Sequence, residues 1–377
     1  MPESPQGRPT LCWIDHDALR WNLRQIREKV GANVKILSMV KANAYGHGAA
    51  AVAQTLAGAG GDASGVATLE EGVELRRSGI HAPILVLAGA YEEQLAEFFA
   101  HSLTPVVHDL TRFERLEKAV RRRSATLNVH LKIDTGMGRL GLVAAESEAW
   151  IPELKNLAAL RIEGVFSHFS HAESVDGDYT RRQLEIFNRL VARLRGEQLA
   201  PPLVHFANSA ATITLPAAYF DMVRPGIMLY GVYPSAAMAN QMILKPVLAW
   251  ETNILQLKKV PAGASISYGQ TFVTKRESMI ATLPIGYADG YPRLLSNRGE
   301  VLVGGHRAKV AGSVCMDLTM IDVTDIRNVK QGDEVVLLGR QGNAEISADQ
   351  IAAWANTISY EILTSIGARV PRIHYNS

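Results

Sequence analysis

Cysteine is nearly absent: Cys12 and Cys315 are the only two in 377 residues. Two thiols so far apart in the chain cannot supply a disulfide framework or a cysteine-rich metal site. No apolar run approaches the roughly 18 to 20 residues of a membrane span. The opening MPESPQGRPT lacks the apolar stretch of a secretory signal. Charge of either sign is also lacking in excess, since 39 Lys and Arg against 37 Asp and Glu leave a net +2. That balance argues against a nucleic-acid surface. There is no internal repeat and no low-complexity segment, and the 11 histidines include no H-E-x-x-H pair. These absences set the expectation of a cytoplasmic two-domain protein without a metal site, a membrane or a nucleic-acid partner.

What is present is an ordinary globular composition, 47% hydrophobic and 20% charged. Eight short apolar runs punctuate the first two-thirds: VKILSMV near 34, SGVAT near 64, PILVLAG near 83 and LTPVVHD near 103. LNVHLKID near 127, RIEGVFSH near 161, LVHFAN near 203 and DMVRPG near 221 complete the set. Amphipathic stretches such as LEEGVELRRSG and YTRRQLEIFNRLVARLR lie between several of them. Buried strands alternating with helices imply parallel pairing through crossover helices. Eight such units suit a (β/α)8 TIM-like barrel, with an open doubly wound sheet as the alternative. After about residue 245 the strand-like runs are broken by Gly, Asp and Asn with no helix between them, which reads as a mainly β domain. One late helix is expected from Ser347, where SADQ fits a capping box, to about Ile366. The expected organisation is residues 1–10 as a segment packed on the β-domain, 11–244 as the barrel and 245–377 as the β-domain.

Two motifs mislead. GAGGDA at 58–63 matches a dinucleotide fingerprint, but it follows a helix and precedes a strand, the wrong order for a pyrophosphate site. DTG at 134–136 occurs once and in the wrong fold pattern for an aspartic protease. The strand ends carry the better signal, because barrel active sites form on that face. Lys41, Arg139, His168, Asn208, Ser209, Arg224 and Gly226 each follow a predicted strand. A lysine in an apolar setting near cations has a lowered proton affinity, so its free amine can form a Schiff base with an aldehyde. Ser209, backbone N–H groups near Gly226, and Tyr45 can hold a phosphate. Aldehyde and phosphate together are what pyridoxal 5'-phosphate (PLP) presents.

In this setting the sequence resembles the alanine racemase family. VKANAYGHG is similar to that family's cofactor-lysine motif. LKIDTGMGRLG, SHFSHAE, HFANSAA, VRPGIMLYG, ISYGQTF, GYADGYPR, GSVCMDLTMIDV and ISYEILTSIGARVPR match further family blocks in order, over nearly the whole chain. The resemblance implies a barrel, a C-terminal β-domain, and a homodimer whose active sites use both chains. It further implies that Lys41 carries the cofactor and is one catalytic base, and that Tyr268 from the partner chain is the other. By the same resemblance, Tyr45, Ser209, Gly226, Ile227 and Tyr360 hold the phosphate, and Arg224 faces the pyridine nitrogen. His168 packs near the ring and links Tyr268 to Arg224, with His205 behind the arginine. Arg139 contacts the phenolic oxygen and helps place the substrate carboxylate, which also meets the backbone N–H of Met316, next to Asp317. Lys132 is expected to be carbamylated, as its counterpart is in many members, giving an anion that orients Arg139.

Racemisation removes the Cα proton from one face and returns one to the other, so two bases are needed, and an amine and a phenol suit the task. A cationic His168–Arg224 pair is expected to favour the Tyr268 phenolate. A guanidinium cannot accept a proton from the pyridine nitrogen, which weakens the electron sink and limits side reactions such as transamination. The expected activity is interconversion of L- and D-alanine for peptidoglycan synthesis. The alternatives are a serine or broader racemase of the same fold and a non-catalytic PLP carrier. Ser313 and Glu173 depart from some relatives at positions that bear on access.

Overall fold

The computed structural model describes residues 7–174, 177–199 and 201–376. The described residues form two compact units, one within 19–44 and 49–245, the other within 7–18, 45–48 and 246–376.

In the first unit the eight apolar runs are strands: β1 (Lys35–Met39), β2 (Ala63–Val66), β3 (Ile84–Val86), β4 (Thr104–Val107), β5 (Leu127–Asp134), β6 (Leu160–Phe166), β7 (Leu203–His205) and β8 (Met222–Val223). Each pairs in parallel with its neighbours, β8 pairs with β1, and β4 pairs with β5, so the sheet closes on itself. The open-sheet alternative is thereby excluded. Ile36, Val106, Val129, Leu131, Val165 and Val204 are buried along these strands, as both-face coverage requires. Helices such as Leu69–Arg77, Leu110–Arg122 and Asp178–Gly196 supply the crossovers, each with one buried apolar face.

The second unit is built on a largely antiparallel sheet that includes Leu248–Asn253, Gln256–Val260, Ser278–Leu283, Glu300–Val303 and Glu334–Gln341. Leu11–Asp15 belongs to this sheet, antiparallel to Leu248–Asn253 and parallel to Arg372–Tyr375, although residues 11–15 were expected in the barrel. Its partners are more than two hundred residues away, so nothing local in LCWID announces the pairing. Arg8 and Thr10 hydrogen-bond to the Pro284 carbonyl, and Arg8 pairs with Asp289; residues 1–6 of the expected N-terminal segment lie outside the described residues. The expected single late helix is two, Ala348–Ala355 and Ser359–Ser365. The Ser347–Gln350 capping box starts the first, and Asn356 ends it by entering the left-handed region at φ 53°.

Among the described residues no helix is long and apolar enough to cross a membrane, and no group of three or more His, Cys, Asp or Glu could hold a metal ion.

Candidate functional site

Lys41 follows strand β1, whose end is fixed by its neighbours. Val40 N–H donates to the Gly65 carbonyl, Met39 N–H to Pro225, and the Tyr230 hydroxyl to the Met39 carbonyl at 2.8 Å. The chain then makes a left-handed turn: Ala42, Asn43, Ala44 and Tyr45 all have φ between 52 and 54°. Each L-residue there costs roughly 1–2 kcal/mol, so the turn must be held from outside. Asn43 Oδ1 accepts from Ala49 N–H, Ala44 N–H donates to Val40, and Glu71 Oε1 accepts from Ala42 N–H at 2.6 Å. The proton affinity of the Lys41 amine is lowered, first by burial and then by Arg139, with Glu71 opposing.

Strand β5 carries His130, Lys132 and Asp134 at alternate positions on one face. Asp134 Oδ1 accepts from the N–H groups of Gly136, Met137 and Gly138 at 2.8, 2.9 and 3.2 Å. The DTG motif is therefore a carboxylate-gathered loop leading to Arg139, which is exposed. Lys132 is buried, its Nζ 5.7 Å from the Phe166 ring centroid. Burial and then Arg139, Arg224 and Lys41 lower its amine to about 8, against the pull of Asp134.

Arg224, at the end of β8, is buried, with both terminal nitrogens engaged. It donates to the Ser167 and Phe206 carbonyls at 2.7 and 3.1 Å, to His205 Nδ1 at 3.1 Å and to His168 Nδ1 at 3.3 Å. Phe166 stacks on His205 at 4.7 Å and lies under the Arg224 guanidinium at 5.0 Å. His205 continues to His130 through a 2.9 Å ring-to-ring hydrogen bond, for which Gly164 leaves the room; a Cβ there would sit 2.5 Å from the His130 ring. Burial, then Arg224, lowers the proton affinity of all three histidines: His168 and His205 well below 6.5 and His130 to about 3. The expected cationic His168–Arg224 pair is thus corrected: His168 is neutral, and Arg224 alone carries the charge. Because a guanidinium only donates, His168 Nδ1 must accept, and its proton sits on Nε2.

Ser209, preceded by the N-cap Asn208, opens the short helix Ser209–Thr214, and its Oγ accepts the Gly226 N–H at 2.8 Å. Ile227 follows Gly226 at the start of a tight turn. Half-buried Glu173 lies in the segment after β6.

The β-domain unit holds the remaining candidates. Tyr45 is buried, its ring 6.1 Å from that of Tyr360 on the helix Ser359–Ser365. Gly46 makes this approach possible, since a Cβ there would meet the Leu363 carbonyl oxygen at 2.2 Å. Tyr268 is 75% exposed, although its backbone is pinned: Ser313 Oγ donates to the Tyr268 carbonyl, and Ser267 Oγ donates to the Ser313 carbonyl. Met316 is also exposed; its carbonyl accepts from Ala288 N–H, and its own N–H makes no hydrogen bond among the described residues. Asp317 pairs with Arg369, which reaches Asp289 and through it Arg8. Cys315 contacts Ser267 Oγ at 3.4 Å and packs in this loop.

Sequence reading passed over Glu71, His130 and Phe166. T-x-x-E at 68–71 was a visible capping box, and His130 shares the period-2 face of Lys132. Phe166 had no signal beyond its place in a core strand.

PLP fits what the barrel unit presents. Lys41, Lys132, Arg139 and Arg224 act on one another electrostatically, with Glu71 and Asp134 the opposing carboxylates, so the strand-end face suits a ligand carrying a phosphate and a phenolate.

The comparisons agree with this architecture. Residues 14–234 match the family model described as alanine racemase, N-terminal domain, and residues 247–374 match alanine racemase, C-terminal domain. The chain is 48% identical to an alanine racemase of Halothermothrix orenii, over 98% of this chain and 97% of that one. It is 44% identical to one of Carboxydothermus hydrogenoformans, over 97% of this chain and 100% of that one. Among solved structures, the alanine racemase of Bacillus anthracis with bound L-Ala-P superposes with a TM-score of 0.93 at 37% identity, covering 99% of this chain and 97% of that one. That of Streptomyces coelicolor gives 0.90 at 35% identity, covering 98% of each. Both domain models match, in order and across both structural units, and the chain belongs to the alanine racemase family.

Proposed function

We propose that the chain interconverts L- and D-alanine with PLP as cofactor, Lys41 and Tyr268 serving as the two bases, and so supplies D-alanine for peptidoglycan synthesis in the cytoplasm. The observation that carries this reading is Lys41: an amine of lowered proton affinity at the mouth of a core strand, facing a cationic barrel rim. Bound there, PLP supplies an aldehyde for the amino group and a conjugated ring that delocalises the electron pair left at Cα. The chain's own residues do the rest. Tyr45, Ser209, Gly226, Ile227 and Tyr360 would hold the phosphate, and Arg224 would donate to the pyridine nitrogen without giving up its proton. Lys41 Nζ takes or returns the Cα proton on one face.

The other face is served by Tyr268 of the partner subunit. Its exposed phenol on a pinned backbone supports a homodimer in which each site borrows this residue. The Nε2–H of His168 donates to that phenol oxygen, which must then accept; direction of donation, rather than histidine charge, favours the phenolate. Arg139, held by a carbamylated Lys132, and the Met316 N–H of the partner subunit, beside Asp317, place the substrate carboxylate. His205 and Asn208 support Arg224 and Ser209.

The test is incubation of the PLP-loaded protein with L-alanine, and separately L-serine, in D2O. Loss of optical activity with deuterium at Cα is expected for alanine. For Tyr268→Phe, exchange without inversion is expected. Deuterium incorporation that leaves chirality intact in the parent protein would remove the two-base assignment, and preference for serine would move the substrate.

A further inference from the structure

Glu71 sits on the helix Leu69–Arg77, outside the groups proposed to hold cofactor or substrate, yet its carboxylate joins two strand ends. Oε1 accepts the Ala42 N–H at 2.6 Å, while Oε2 accepts the N–H of Ala67 at 2.7 Å and that of Thr68 at 3.3 Å. Ala67 and Thr68 follow strand β2, which pairs with β1, and Ala42 is the first residue of the left-handed turn after Lys41. A capping box needs only the bonds to the helix start. The bond to Ala42 is additional, and it falls where the backbone is strained and must be held.

We propose that Glu71 is a positioning residue for Lys41: by bridging the Ala42 N–H to the end of β2, its carboxylate holds the strained turn and fixes the direction in which the lysine amine leaves the strand. The inference rests on Lys41 as the cofactor-bearing lysine. A carboxylate suits the task because both oxygens accept. Glutamine offers one acceptor and turns an NH2 toward backbone donors, so it can keep the helix cap or the Ala42 bond but not both. The same anion opposes burial and Arg139 in setting the proton affinity of the amine. Arg139 also acts on that amine electrostatically, and the amine's charge in turn bears on Lys132 and His168; none of the three is altered when Glu71 is changed.

Three variants separate the bridge from an ordinary cap. Glu71→Gln removes the bridge. Thr68→Ala removes a capping hydrogen bond and leaves Ala42 alone. Ala42→Gly relieves the strain, since glycine adopts φ near +52° without penalty. Two readouts are taken beside the melting temperature: the pH midpoint for acylation of Lys41 by an amine reagent in PLP-free protein, and the PLP concentration for half-maximal borohydride-trapped attachment at Lys41. Glu71→Gln is expected to weaken attachment about tenfold and to move the acylation midpoint to lower pH. Thr68→Ala is expected to leave both unchanged, and Ala42→Gly to recover most of the attachment lost in Glu71→Gln.

The inference is overturned if Glu71→Gln attaches PLP like the parent, if Thr68→Ala shows the same loss, or if Ala42→Gly recovers nothing. Should Glu71→Gln not fold, the Ala42→Gly/Glu71→Gln double variant against Ala42→Gly carries the midpoint measurement, and an unmoved midpoint overturns the inference. Peptide mapping of trapped PLP in the parent to another lysine overturns the Lys41 assignment and the inference with it, and is distinguishable from the other outcomes.

Discussion

Arg224 Nη1 lies 3.1 Å from His205 Nδ1, and this one contact orients a chain of proton donors through the barrel. The guanidinium can only donate, so His205 accepts at Nδ1 and donates from Nε2 to His130 Nδ1 at 2.9 Å. The same guanidinium fixes the His168 tautomer from its other nitrogen. Lysine cannot replace it, because a point charge cannot reach two carbonyls and two imidazoles at once. Arg224→Lys is expected to lose about 2–4 kcal/mol of stability through stranded buried acceptors, together with at least tenfold in kcat. Denaturant unfolding and steady-state kinetics check the pair.

The buried histidines make stability depend on pH. Their folded-state proton affinities are depressed from 6.5, to about 3 at His130 and well below 6.5 at His168 and His205. Below 6.5 the unfolded chain binds protons that the folded chain refuses. Their contribution is therefore whole above about 6.5 and falls as pH drops toward the folded values, by at most about 1.4 kcal/mol per pH unit per histidine. Asp289 is depressed: burial raises its carboxyl, but the Arg8 hydrogen bonds, the Gly286 N–H and the charges of Arg8 and Arg369 together outweigh that. Urea unfolding between pH 5 and 6.5 isolates the histidines, and His130→Gln is expected to make the slope shallower by one histidine's share.

Lys132 offers a chemical test. Its amine, lowered to about 8 by burial and cationic neighbours, is neutral in roughly one molecule in ten at pH 7. A neutral amine takes up CO2 to give a carbamate and a proton, which replaces a cation among cations with an anion. Intact mass measured without acid is expected to carry one added CO2 that Lys132→Ala lacks. Bicarbonate depletion is expected to lower activity and its return to restore it. An unmodified mass in saturating bicarbonate would remove the carbamate from the mechanism.

Much of this architecture was legible because barrel strands are local signals. VKILSMV and LNVHLKID announce buried strands by composition alone, and the strand-end rule then points to Lys41, Arg139, His168 and Arg224. What stayed hidden depends on partners or on burial. Leu11–Asp15 reads as an ordinary apolar run until Leu248–Asn253 and Arg372–Tyr375 pair with it. Asn356 looks like a tolerable residue inside a helix, yet its ease in the left-handed region lets the chain stop there. The neutral His168 follows from three-dimensional burial beside Arg224, which no spacing reveals.

The loop carrying Tyr268 can be tested apart from the phenol itself. Gly312 has φ +83°, and a Cβ there would sit 2.5 Å from the Ile266 carbonyl oxygen and 2.8 Å from Ser267 Cβ. Both neighbours are backbone or short side chain of the tyrosine's own loop, so Gly312→Ala must displace Ile266 and Ser267 or strain the glycine turn, at a cost of about 1–3 kcal/mol. Ser313, which donates to the Tyr268 carbonyl, would shift with them. Nothing in this substitution touches Lys41 or its strand. Gly312→Ala is therefore expected to lower turnover at least tenfold while PLP attachment at Lys41 stays at the parent level, and Ser313→Ala to do the same more mildly. Absorbance titration with PLP and racemisation assays on the same preparations separate the two effects. If attachment falls in step with turnover, Tyr268 and the cofactor lysine are not independent, and the division of labour between the two bases fails with them.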